Sequence, residues 1–301
     1  MTEKSINWLF PEKIIDCDTL NEKLGNNEIR VFDCTTFLDY TDDHPSKPYD
    51  VKSCWSNYKD AHIPAAAYLD LQKDLSDDDS PYGLTLPDLE SLAEKFEKLG
   101  IGSPYHIVLY ANNGMQWATR IWAMLAAVGY TKVSVLNGGL REWKRLGFAT
   151  ESGINEFETA EFKAKLNTRL FVDKNEVVAA LGREDSILLN SLTEDIFKGK
   201  STRYGRPGRI PGSINIPFHE LLETDRGTLK SPKQILSIIS NAGMERHHKI
   251  INYCGGGIAA TLTTFVLYQL GFEKLGIYDN SMSEWATDES LPIEVGDGKS
   301  K

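Results

Sequence analysis

The stretch KIINYCGGGIAATLTTFVLYQLGF, residues 249–272, decides the fold. Its first five residues form a short apolar run ended by a cysteine and glycines, the pattern of a buried strand. Cys254 follows, then Gly255, Gly256 and Gly257, then the helical run IAATLTTFVLYQLG. In an open parallel sheet, ligands bind at the carboxyl ends of strands. The unpaired N–H groups of a helix start, together with the helix dipole, favour an anion there. Glycines let the backbone curl with positive φ, so that successive N–H groups point at one centre. Such a place favours a cysteine as its thiolate, the nucleophilic form. Cys254 is therefore the candidate nucleophile, with Gly255, Gly256, Gly257, Ile258 and Ala259 as the loop that would cradle the anionic outer sulfur of a persulfide.

Two other chemistries use loops of this kind. Gly255-Gly256-Gly257-Ile258-Ala259-Ala260 fits a dinucleotide-binding G-x-G-x-x-A, but it follows the second readable strand of its domain, and Asp279 is only a partial match for the acidic residue that closes the next strand about 20 residues on. A cysteine phosphatase needs an arginine six residues after the cysteine to clamp phosphate oxygens. Ala260 stands there.

Outward from the loop, the chain is written twice. HIVLYANNGMQWATRIWAMLAAVGY (106–130) repeats the strand–loop–helix pattern, with Ala111 at the cysteine position. RVFDC (30–34) answers SILLNS (186–191), and YKDAHIPAAAYLDL (58–71) answers GRIPGSINIP (208–217). VSVLNGGLREWKRLG (133–147) answers LGIYDNSMSEW (275–285). The apolar runs are predicted strands. LPDLESLAEKFEKLG (86–100) and SPKQILSIISNAG (231–243) carry helix start and stop signals. Strands alternating with helices predict an α/β fold of two domains, each a mostly parallel sheet covered on both faces. The expected division is 1–152, a charged connector over 153–170 that lacks a strand run, and 171–301.

A chain of 301 residues is long enough for two such cores without disulfides or a structural metal. The net charge of -10 and a pI near 5.2 argue against nucleic acid or an anionic membrane as partner. No apolar run approaches the roughly 18 residues of a membrane span, and no targeting signal is readable. Cys17, Cys34, Cys54 and Cys254 show no paired spacing, which excludes a zinc site or disulfide framework and suggests a reducing, cytoplasmic setting. The first three read as small buried apolar residues.

Strand, cysteine, glycine loop and helix in the second of two repeated α/β domains resemble the tandem rhodanese family, which includes thiosulfate and 3-mercaptopyruvate sulfurtransferases. YKDAHIPAAAYLDL, GRIPGSINIPFHELL and YDNSMSEW resemble signatures of that family, so the resemblance runs through nearly the whole chain. It implies a silent first domain, a catalytic second one, and no metal or organic cofactor. It also implies double displacement: Cys254 takes sulfur from a small anionic donor as a persulfide and passes it to a thiol or cyanide. Thiosulfate members carry basic residues just after the cysteine, where Gly255 and Gly256 stand here. The loop is closer to the Cys-Gly-Ser-Gly-Val-Thr of mercaptopyruvate members, with Gly256 for the serine and Ala259 for the threonine. Leu84 stands in place of an expected histidine, Ile196 near an expected substrate-binding arginine, and Asp70 alone matches the remaining carboxylate. Arg203, Arg206 and Arg209 are left as candidate donor contacts, with Trp285 expected to line the cleft. A persulfide carrier or regulatory module without turnover is the alternative function.

Overall fold

A computed structural model describes residues 6–41 and 48–297. The amino-terminal part contributes strands β1 (Ile14–Ile15), β2 (Ile29–Asp33), β3 (Thr36–Tyr40), β4 (Tyr49–Ser53), β5 (Ala67–Tyr68), β6 (His106–Tyr110) and β7 (Val133–Leu136). The carboxy-terminal part contributes β8 (Phe171–Val172), β9 (Ser186–Asn190), β10 (Ile214–Asn215), β11 (Lys249–Tyr253) and β12 (Leu275–Tyr278). The first sheet runs β1-β7-β6-β2-β5 and the second β8-β12-β11-β9-β10, all parallel. Taken in chain order, the two are one topology built twice. The central registers agree as well: Asp33 lies opposite Tyr110, and Asn190 opposite Tyr253.

Helices cover both sheets, with α1 (Cys17–Lys23), α2 (Trp55–Asp60), α3 (Leu71–Leu75), α4 (Leu89–Lys98), α5 (Met115–Ala127) and α6 (Gly139–Arg145) in the first part. The second has α7 (Lys174–Ala180), α8 (Glu194–Phe197), α9 (Pro232–Asn241), α10 (Ala259–Gln269) and α11 (Ser281–Trp285). The expected starts hold. Asp88 caps α4 through the Ser91 N–H, and Ser231 with Gln234 forms a capping box on α9. A helix apolar on all sides must be covered on all sides, and α5 and α10 cover each other. Trp122 meets Phe265 edge to face at 4.8 Å, and the hydroxyls of Thr119 and Thr261 lie 3.0 Å apart. One continuous apolar core therefore crosses from the first sheet to the second.

Two elements differ from the sequence reading. The stretch 153–170 contributes no strand to either sheet and is strapped along the first domain. The amides of Gly153, Ala160 and Lys165 donate to Lys59, Glu97 and Val128, and Phe157 packs on Phe32. Its apolar residues are isolated anchors, so no periodicity announced them. The β3–β4 hairpin was also not foreseen, and it reaches across to the second domain. Among the described residues, no helix is long and apolar enough to cross a membrane.

A charge cluster joins the domains at a second place. Glu142 on α6 accepts from Arg145 and, across the seam, from Arg226 at 2.6–2.9 Å. The Arg145 hydrogen bonds, with those of Arg226 and against the cost of burial, hold this carboxyl down from 4.5 to about 2. A depressed carboxylate contributes stability that is complete above the unfolded pKa and fades as pH falls through the folded one. Wild type should therefore exceed Glu142→Gln in urea midpoint above about pH 4.5, with the gap closing toward about pH 2. A gap independent of pH in that window would remove the carboxylate as its source. Both arginines are half exposed, so the gap should be modest, about 1 kcal/mol.

Candidate active site

β11 delivers Cys254 to the carboxyl edge of the second sheet, where its side chain is almost fully buried at 2% exposure. The loop between β11 and α10 is held from outside by its carbonyls. Cys254 O accepts from the Met282 amide (3.1 Å), and Gly255 O from the Ser283 amide and hydroxyl (both 2.8 Å). Gly257 O accepts from Arg120 Nη1 at 3.3 Å. In a trans peptide the N–H points opposite to the C=O. The amides of Gly255, Gly256 and Ile258 are therefore turned away from those partners. Cys254 N donates to Ser281 Oγ (3.0 Å), which in turn donates to Tyr278 O (2.7 Å). Ser281 sits at φ 50, a conformation a non-glycine residue keeps only when its surroundings fix it.

The three glycines do not all serve backbone curvature, as the sequence reading had it. Only Gly257 has positive φ, at +70, and a Cβ there would lie 2.3 Å from Asp279 O. Gly255 and Gly256 are required for space. A Cβ on Gly255 would stand 2.0 Å from the Tyr204 hydroxyl, and one on Gly256 2.2 Å from the Tyr49 hydroxyl. Two phenols, one from each domain, occupy the room that loop side chains would take.

The first domain fixes the loop from behind. Arg120, fully buried on α5, meets Asp279 at 2.5 Å and donates to Leu84 O at 2.8 Å. The other oxygen of Asp279 accepts from the Leu86 amide at 2.6 Å. Burial, with the neighbouring Cys254 adding to it, pushes the Tyr49 phenol up, while its hydrogen bond with Ser283 acts the other way. The other three cysteines are held as thiols, because burial pushes Cys17 and Cys54 up to about 12 and raises Cys34 well above 9. None of the four is in a disulfide.

Residues 16–146 and 194–288 match the model of the rhodanese-like domain. The chain belongs to the rhodanese-like family. It is 32% identical to human 3-mercaptopyruvate sulfurtransferase over 249 residues, covering 81% of this chain and 83% of that one. Rat thiosulfate sulfurtransferase is 31% identical over the same shares. The crystal structure of the 3-mercaptopyruvate enzyme SseA from Escherichia coli superposes with a TM-score of 0.78 at 28% identity, covering 89% of this chain and 98% of that one. The protein is a sulfurtransferase on a rhodanese fold.

Within this rhodanese-like frame the expected donor contacts disperse. Arg206 gives its guanidinium to the carbonyls of Trp285, Ala286, Asp288 and Leu291, at 2.5–3.0 Å. Arg209 is wholly buried, bonded to Glu294 at 2.5 Å and to the carbonyls of Phe197 and Gly296. It repeats His62 with Glu151 in the first domain, down to the bridge each pair makes between the same two segments. Trp285 has no exposure and donates to Pro292 O, as Trp143 donates to Ala149 O. The expectation that Arg206, Arg209 and Trp285 face the donor is therefore corrected: carbonyls hold Arg206 and Trp285, and Glu294 with two carbonyls holds Arg209.

Asp70 caps α3 through the Lys73 N–H and lines a first-domain cavity of 590 Å³ that contains no residue of the Cys254 loop. Arg203 is the exception. It stacks 3.9 Å over the Tyr40 ring, beside Tyr204 at the mouth of the loop. Tyr49, Tyr204, Ser281, Ser283, Arg120 and Asp279 were missed. Arg120 did carry a signal, being the one charge in the apolar run of α5.

Proposed function

We propose that Cys254 is the nucleophile that carries the transferred sulfur, with Gly255, Gly256, Gly257, Ile258 and Ala259 as its cradle. The observation that supports this most is the outward bonding of the loop carbonyls, which leaves successive amides to meet an anion. The donor is small and anionic, of the 3-mercaptopyruvate or thiosulfate type acted on by the relatives. The Cys254 thiolate attacks the outer sulfur, and the bond to the rest of the donor breaks with its electron pair on the leaving group. That group is sulfite from thiosulfate, or the enolate of pyruvate, which then takes up a proton. An acceptor thiolate or cyanide next attacks the outer sulfur of Cys–S–S⁻ and returns the Cys254 thiolate. Arg203, which stacks on Tyr40 and adjoins Tyr204, is the remaining candidate contact for the donor's anionic group. The free, buried cysteines support a reducing, cytoplasmic setting.

Intact-mass measurement tests the reading. Incubation with either donor should add one sulfur, mapped to Cys254, and cyanide should remove it as thiocyanate. Sulfur found on another cysteine would overturn the assignment. A stable sulfur adduct that yields no thiocyanate would convert the reading into that of a carrier without turnover.

A further inference from the structure

Beside the cysteine loop stands a tyrosine whose hydroxyl no other side chain or carbonyl has taken. Tyr204 is 8% exposed, and its hydroxyl lies against Gly255, the residue that follows Cys254. Tyr49, on the other side, hydrogen-bonds Ser283. The Tyr204 hydroxyl makes no hydrogen bond to any described residue. Its titratable neighbours are Tyr49, Cys254, Tyr40 and Arg203, and burial is the main cause that raises it well above 10 and keeps it in the protonated, donor form. The phenol therefore keeps an open O–H donor beside the cysteine loop, which an anionic sulfur can take in place of water.

We propose that Tyr204 is a catalytic residue that donates its hydrogen bond to the transferred sulfur, holding the charge that develops on that atom with a neutral phenol instead of a cation. The proposal rests on the Cys254 reading above. No proton leaves the phenol: the bonds made and broken are those of the two displacements, and Tyr204 O–H···S⁻ is present only while the outer sulfur is charged. The position explains the glycine. Any side chain at 255 would expel the hydroxyl from the loop. It also explains how a loop without a basic residue after its cysteine can hold an anionic sulfur.

A donor that stabilises Cys–S–S⁻ acts oppositely on the two halves of the cycle. Tyr204→Phe should slow persulfide formation from 3-mercaptopyruvate and thiosulfate by about 10- to 100-fold, the worth of a hydrogen bond to a charged group. Discharge of the preformed persulfide by cyanide should be unchanged or faster. Rapid-quench intact mass measures each half separately. Gly255→Ala is the second variant. Residue 255 does not need positive φ, so alanine fits the backbone, but its methyl must displace the Tyr204 ring. The same one-sided loss is expected there. If both halves run at wild-type rates in Tyr204→Phe, or both fall by the same factor, Tyr204 does not hold the sulfur. If wild type itself never charges on Cys254, the underlying assignment fails instead, and the two failures are told apart in one experiment.

Discussion

Cys254→Ser should lower sulfur transfer by at least about 10³-fold, because removing a covalent nucleophile leaves only binding and the electrostatic cradle. The thiolate must both attack a sulfur atom and leave from one, and a serine oxygen does neither at neutral pH. Folding should be intact. Cys254 Sγ takes no hydrogen bond that the chain depends on, and the loop is held through main-chain atoms and Ser281. The measurement is cyanolysis with each donor, alongside the urea midpoint. A serine variant with wild-type cyanolysis would show that the sulfur travels by another residue. Cys34 is the obvious control, since it also follows a strand end but is buried, raised well above 9 by that burial, and has no glycine after it. Cys34→Ser should leave transfer unchanged.

The cysteine loop was legible because its parts are contiguous. Strand, Cys254, Gly257 and α10 are read from twenty-odd adjacent residues, and local patterns of hydrophobicity and punctuation report local structure well. The duplication carried the same information a second time and pointed to two similar, mostly parallel sheets. The two-residue strands β1, β5, β8 and β10 were not legible, since two residues have no period. The donor side of the site failed for another reason. Arg206 and Arg209 have the charge a donor would want, but charge does not say what already holds it. The turn that follows α11 presents carbonyls inward, and Arg206 donates to four of them. Tyr49 and Tyr204 reach the loop from positions remote in sequence. Their only trace was the pair of glycines at 255 and 256, which read equally well as conformational freedom until the space above them was seen filled.

Arg120→Ala should be the most destabilising single change outside the cores themselves, by about 3–5 kcal/mol, out of the 5–15 kcal/mol that holds a typical native state together. Arg120 is fully buried and Asp279 nearly so, so truncation strands a carboxylate whose other contact, the Leu86 amide, cannot neutralise it. The same guanidinium holds Leu84 O and Gly257 O, and it lies 5.1 Å from the Phe171 ring. One side chain of the first domain thus anchors the cysteine loop, the Asp279 turn and the 84–86 segment together. The expected readout is a lower urea midpoint with transfer activity falling before unfolding begins, since the loop loses its support at Gly257. Adding Asp279→Asn should recover part of the stability, because the stranded charge goes with it. It should not recover the activity, because the Gly257 carbonyl remains unheld. A loss below about 1 kcal/mol in Arg120→Ala would mean that water replaces the guanidinium freely. The first domain would then be a neighbour of the site and not its support.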